Sequence, residues 1–203
     1  MQVSPLQENP ECVVDEIERA RAEEYALLAT LLARCPDASM IGRLARLRGD
    51  ATPLGVAHGS LGAAAARATA RNVQREYFEL FDGVGRGKLM PYASYYLTGL
   101  PYGRPLSRLR RTLQRLGIER AEGRSEPEDH AAILCEIMAG LAGGRLAAPA
   151  GAEREVFENH LAPWIGRFFA DLELAECADF YARVGEIGRT FVDIETKAFA
   201  LLA

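Results

Sequence analysis

Glu126-Pro127-Glu128-Asp129-His130 places three carboxylates and an imidazole within five residues. Packed together, those acids repel one another unless a cation shares the site. A guanidinium, planar and forked, is the natural partner for clustered carboxylates. A purely structural role is also open, because acids in the first turn of a helix complement its positive end. Ser125 and Glu128 have capping-box spacing and Pro127 suits a first turn, so a helix is expected from Ser125 to about Leu141.

A second candidate is Gly83-Val84-Gly85-Arg86-Gly87-Lys88. It looks like a phosphate loop but fails in two places. The glycine required five residues before the Gly-Lys pair is Asp82, and the magnesium-binding hydroxyl after the lysine is replaced by Leu89. No HExxH, GxSxG or EF-hand pattern is present. His58 lacks a metal-ligand partner at helical spacing, and His160 is expected to close a helix. Cys12, Cys35, Cys135 and Cys177 form no CxxC pair, as expected of idle thiols in a reducing cytosol. No cofactor and no metal is expected.

The elements that position these groups read as helices. Ala and Leu together number 58 and Val and Ile only 17, a ratio that disfavours a β-sandwich or a large parallel sheet. Apolar residues recur at a helical period over Asp15–Arg34, with Ile17, Ala20, Leu27, Leu28, Leu31 and Leu32 inward. Ser39 can cap a short helix reaching Arg48. A third helix opens near Thr52, runs through the Ala-rich tract Leu61–Ala70, and continues to Phe81. From Asp82 to Pro105 the period vanishes, and this stretch holds Tyr92, Tyr95, Tyr96 and Tyr102. A long loop in a compact domain is usually functional, and its aromatics argue that it is ordered. Leu106–Leu116 forms a helix decorated by Arg108, Arg110, Arg111 and Arg115, ended by Gly117. Two further helices cover Ala152–His160 and Pro163–Leu174, and the last spans about Ala178–Leu201.

The expected fold is therefore all-α, one bundle-like domain over residues 1–203. An N-terminal helical half (about 13–81) joins a C-terminal half (about 106–203) through a Gly/Pro/Tyr-rich hinge loop (about 82–105). The net charge of −4 supplies no broad footprint for nucleic acid. No uninterrupted apolar run is long enough for a membrane span, and the N-terminus lacks signal-peptide character.

Three segments resemble the TorD/DmsD group of cytoplasmic chaperones for molybdoenzymes. The first is Glu76-Tyr77-Phe78-Glu79-Leu80-Phe81, then Pro91-Tyr92-Ala93-Ser94-Tyr95-Tyr96 with Gly99 behind it. The second is Glu126-Pro127-Glu128-Asp129-His130, followed by Met138. The third is His160-Leu161-Ala162-Pro163-Trp164, with Phe168 and the late Phe180-Tyr181. Together they cover about residues 70–195, whereas the first 70 agree only in being helical.

The resemblance implies an all-helical protein that is not an enzyme. It implies binding of the twin-arginine leader and the apo-form of a molybdenum-cofactor oxidoreductase before export. It places the leader-binding surface at Tyr92, Ser94, Tyr96, Gly99, Leu100, Pro101, Glu126, Pro127, Asp129 and His130. The chemistry agrees: two adjacent guanidinium groups followed by an apolar run need carboxylates beside a greasy groove. In this reading Glu126 and Asp129 face the arginines, and the tyrosine-rich loop with Leu97 and Leu100 takes the apolar run. The expected partners are the apo-molybdoenzyme catalytic subunit and its leader, with no nucleic acid and no membrane insertion. The chain is expected to be a cytoplasmic monomer or homodimer. Two alternatives remain: a nucleotide-binding protein or small enzyme using the Gly83–Lys88 loop, and a generic helical adaptor.

Overall fold

The computed structural model describes residues 10–82, 87–119 and 126–201, and every named element among them is helical. Helix α1 spans Pro10–Ala33. Tyr25, Leu28, Leu31 and Leu32 are its buried anchors, while Ile17, expected inward, is exposed. Helix α2 is shorter than expected, Ala38–Leu44. Asp37 caps it in place of Ser39, its carboxylate accepting from the Met40 amide at 2.7 Å. Helix α3, Pro53–Arg67, starts where expected, with the Thr52 hydroxyl accepting from the Gly55 amide at 3.0 Å.

The continuous helix expected from α3 to Phe81 is interrupted. Ala68 and Thr69 are extended, and the Thr69 hydroxyl caps a new helix, α4, Ala70–Tyr77. A local side-chain cap satisfies the orphan amides that such a break creates. Phe78–Asp82 then forms a π-helical turn.

The expected hinge loop is not structureless. It contains α5, Ala93–Thr98, which ends at Gly99 with φ 76°, a left-handed position that glycine occupies without strain. Helix α6 spans Arg104–Arg115, α7 Ala131–Ala142, α8 Ala152–Val156, α9 Ala162–Glu173 and α10 Phe180–Leu201. Between α8 and α9 the chain stays helical through a π turn, Phe157–Leu161, so the break expected near His160 is absent. Pro163, which lacks an N–H, sits in the first turn of α9, where that loss is tolerated.

Helix α1 packs along α7, and α10 packs against both α9 and α3. Elements from the two expected halves thus cross-pack around one apolar core running from Tyr25 to Phe199. The small residues of α3, among them Ala57, Ala64 and Ala65, are buried and let α10 approach. Gly185 does the same for α9, since a Cβ there would lie 2.5 Å from the Glu173 amide nitrogen. One polar network reinforces this packing. Arg21 of α1 donates to both carboxylate oxygens of Glu195 on α10, at 2.7 and 2.6 Å, and to Glu153 on α8. Tyr25 donates to the same Glu195 at 2.8 Å.

Candidate functional site

The acidic segment is not a first helical turn. Glu126–Asp129 forms a turn ahead of α7, and His130 is the N-cap, its Nδ1 accepting from the Ala132 amide at 3.1 Å. Ser125, the expected cap, lies outside the described residues. Tertiary pairing overrides the local pattern. The Ala93 amide donates to the Asp129 carbonyl at 2.9 Å and the Ala131 amide to the Pro91 carbonyl at 2.8 Å. These bonds form an isolated antiparallel bridge between Tyr92 and His130. The tyrosine-rich segment and the acidic segment are therefore pinned together.

Side chains tighten the junction. The Tyr92 hydroxyl donates to Glu126 Oε2 at 2.6 Å, and its ring meets His130 edge to face at 5.0 Å. Burial, then the Glu126 carboxylate, pushes the Tyr92 phenol well above its usual range. Asp129 is 1% exposed; its Oδ2 accepts from the Ser94 amide at 2.9 Å, anchoring the start of α5. The Ser94 hydroxyl in turn accepts from the Tyr102 amide at 2.9 Å. His130 is nearly buried, and desolvation lowers its pKa despite the pull of Glu126 and Asp129. With Nδ1 occupied as an acceptor, neutral His130 carries its proton on Nε2.

The ten expected surface residues do not share one face. Tyr92, Ser94, Glu126, Asp129 and His130 form the connected cluster, and Pro127 closes it by accepting from the His130 amide at 3.1 Å. Tyr96 turns away onto α9. Its hydroxyl donates to Asp171 at 2.8 Å, and its ring packs on Trp164 and Phe168. Gly99, Leu100 and Pro101 form the turn after α5, with Leu100 exposed. Of the Gly83–Lys88 loop, residues 83–86 lie outside the described residues. Lys88 sits 3.8 Å from Glu79.

Cavities flank α6 on both sides. One, of about 510 Å³, lies between α6 and α7. Its apolar wall comes from Leu113, Ile118, Ile133, Ile137 and Leu146, and its charged lining is Glu119, Glu126, Glu128 and Glu136 with Arg110 and Arg145. Arg110 of α6 already pairs with Glu128 at 2.8 Å, showing that this carboxylate is within reach of a guanidinium. Another, of about 320 Å³, is lined by Asp129 with Leu97, Arg104 and Arg108. Glu126 and Asp129, expected to face the same arginines, thus open onto different cavities. Glu136, Ile133 and Leu113 were not singled out for the site. The available signal was the Ile133–Ile137 spacing around Glu136, which puts two apolar residues beside a carboxylate one turn into α7.

The cavity with acidic residues over an apolar wall sits inside the region that decides the family. Residues 47–170 match the family model described as nitrate reductase delta subunit. This chain belongs to that family, the family of the TorD proteins. The "Chaperone protein TorD" of Vibrio cholerae serotype O1, in the classical strain O395 and the El Tor strain N16961 alike, is 26% identical over 126 residues. That match takes in 58% of this chain and 57% of the relative, so it spans little more than half of either protein. A crystal structure assigned as a redox enzyme maturation protein from Archaeoglobus fulgidus superimposes with a TM-score of 0.55. It covers 85% of this chain and 93% of that one at 19% identity, and it establishes the shared helical fold of this TorD-family chain. Among the described residues no helix is long and apolar enough to cross a membrane, and no three His, Cys, Asp or Glu side chains converge as metal ligands.

Proposed function

We propose that this TorD-family chain is a cytoplasmic maturation chaperone for a molybdenum-cofactor oxidoreductase. It binds the apo-form and its twin-arginine leader before export, and it is not a catalyst. The observation that carries this reading is the 510 Å³ cavity between α6 and α7, where carboxylates stand beside an apolar wall. A leader of the twin-arginine type presents the complementary order, two guanidinium groups and then an apolar run.

In this reading the leader's arginines meet Glu126 and Glu128 in exchange for partners that these carboxylates already hold, Arg110 on Glu128 among them. The apolar run lies against Ile133, Ile137 and Leu146. Tyr92 holds Glu126 at the rim through its hydroxyl. Asp129, Ser94, Pro127 and His130 are positioning residues that fix the turn, and Gly99, Leu100 and Pro101 extend the surface. Charge-assisted pairs of this kind discriminate arginine from lysine because only the planar fork reaches a carboxylate bidentately.

Calorimetric titration of a leader peptide tests the reading. Glu126→Gln with Glu128→Gln is expected to weaken binding by about tenfold or more, as is Arg-Arg to Lys-Lys substitution in the peptide. Unchanged affinity in the double variant would overturn the assignment. A generic adaptor would be indifferent to the lysine substitution.

A further inference from the structure

The opposite face of α6 carries a feature that leader binding does not use. Arg104, Arg108, Arg111 and Arg115 recur at intervals of four, three and four, which aligns them along one side of the helix. All four are exposed. Arg115 pairs with Glu155, whereas Arg104, Arg108 and Arg111 have no ion pair among the described residues. Like charges at this spacing repel. A chain with net charge −4 that concentrates positive charge here holds a local field its composition does not require.

The arginines border two adjoining cavities. The upper, of about 320 Å³, is lined by Leu97, Pro105, Leu109 and Asp129. The lower, of about 390 Å³, is lined by Thr112, Glu155, Asn159 and His160, and Arg108, Asn159 and His160 belong to both. Beneath them His160 Nε2 lies 2.9 Å from the Thr112 hydroxyl. Burial, then the positive charge of Arg108, lowers the His160 pKa, so this part of the floor stays neutral. Asp129 Oδ1, by contrast, is buried and has no hydrogen-bond partner among the described residues.

We propose that this groove docks an acidic, extended segment of a partner polypeptide. Eleven residues of helix separate Arg104 from Arg115, about 16 Å at 1.5 Å per residue. That is the length of about five extended residues, whereas a single phosphate reaches one or two of the guanidinium groups. The span of the arginine row decides between the two ligand chemistries, because Asp129 is buried beneath the cavity wall and meets neither. Leu97, exposed at the upper end, adds an apolar contact for such a segment. The surface does not depend on the leader reading, because Arg110, Leu113 and Gln114 face the other cavity.

Calorimetry with an acidic peptide of alternating Glu and Ala, at low and high salt, is the test. The wild-type chain is expected to bind it, with affinity falling as salt screens the arginines. The triple variant Arg104→Gln, Arg108→Gln, Arg111→Gln should bind at least about tenfold more weakly. The corresponding triple lysine variant should retain most of the affinity. Circular dichroism establishes that both variants fold, and their leader titrations should match wild type, which separates this surface from the leader site. No binding by wild type, or equal binding by the glutamine variant, would overturn the proposal. So would pyrophosphate binding at these arginines without peptide binding.

Discussion

Tyr92 and Glu126 are 34 residues apart in the chain, yet the tyrosine hydroxyl lies 2.6 Å from the glutamate carboxylate. This bond, with the Tyr92–His130 bridge beneath it, joins the aromatic segment to the acidic one. It also fixes a carboxylate at the rim of the α6–α7 cavity without withdrawing it from that cavity.

Replacing Tyr92 with Phe removes the hydroxyl and leaves the ring on His130. A hydrogen bond of this kind contributes about 0.5–1.5 kcal/mol net. Urea denaturation of Tyr92→Phe should show a loss in that range, with weaker leader binding as Glu126 becomes mobile. An unshifted midpoint together with unchanged leader affinity would show that the bond positions nothing.

Asp129 anchors α5 through the Ser94 amide. Asp129→Ala leaves that buried amide without its acceptor, at a cost of about 1–3 kcal/mol. Asp129→Asn keeps an acceptor oxygen and should lose less. The Ser94 amide resonance reports the bond directly, and equal losses in the two variants would contradict the anchoring role.

Arg21 neutralises Glu195, which is 1% exposed. Arg21→Met strands that carboxylate in the core, and breaking such a pair costs about 3–5 kcal/mol. Thermal unfolding should show one of the largest single losses in the chain. Adding Glu195→Gln should recover part of it, because the uncompensated charge is then gone. A double variant as unstable as the single would point to packing instead.

His58 has a raised pKa, chiefly from its hydrogen bond to Glu24 at 2.9 Å. A group whose folded pKa exceeds its unfolded value of 6.5 stabilises fully below that pH, and the contribution fades as pH rises through the folded value. The stability gap between wild type and His58→Gln should therefore be larger at pH 6 than at pH 9 (about three pH units, spanning the transition). His130 and His160 have lowered values and act in the opposite sense, destabilising in acid, but they are common to both proteins and cancel in the difference. A gap that grows with pH would refute the assignment.

Much of the helical framework follows from local rules. Thr52 caps α3, Gly117 adopts φ 73° after α6, and Trp164, Phe168 and Phe169 are buried, because caps, left-handed glycines and apolar periodicity act over only a few residues. Local rules fail where a distant segment supplies the hydrogen bonds. The acidic run has the composition of a helix start, yet Pro91, Ala93 and Ser94 occupy the backbone and side-chain groups of Asp129 and Ala131, and the helix begins five residues later than Glu126. The same pairing sends Glu126 and Asp129 to different cavities, a divergence that residue spacing does not encode. The sequence by itself determined which residues are acidic, aromatic or helical. Only the tertiary structure decided which of them meet, because the direction of a side chain outside a helix is set by backbone partners some 35 residues away.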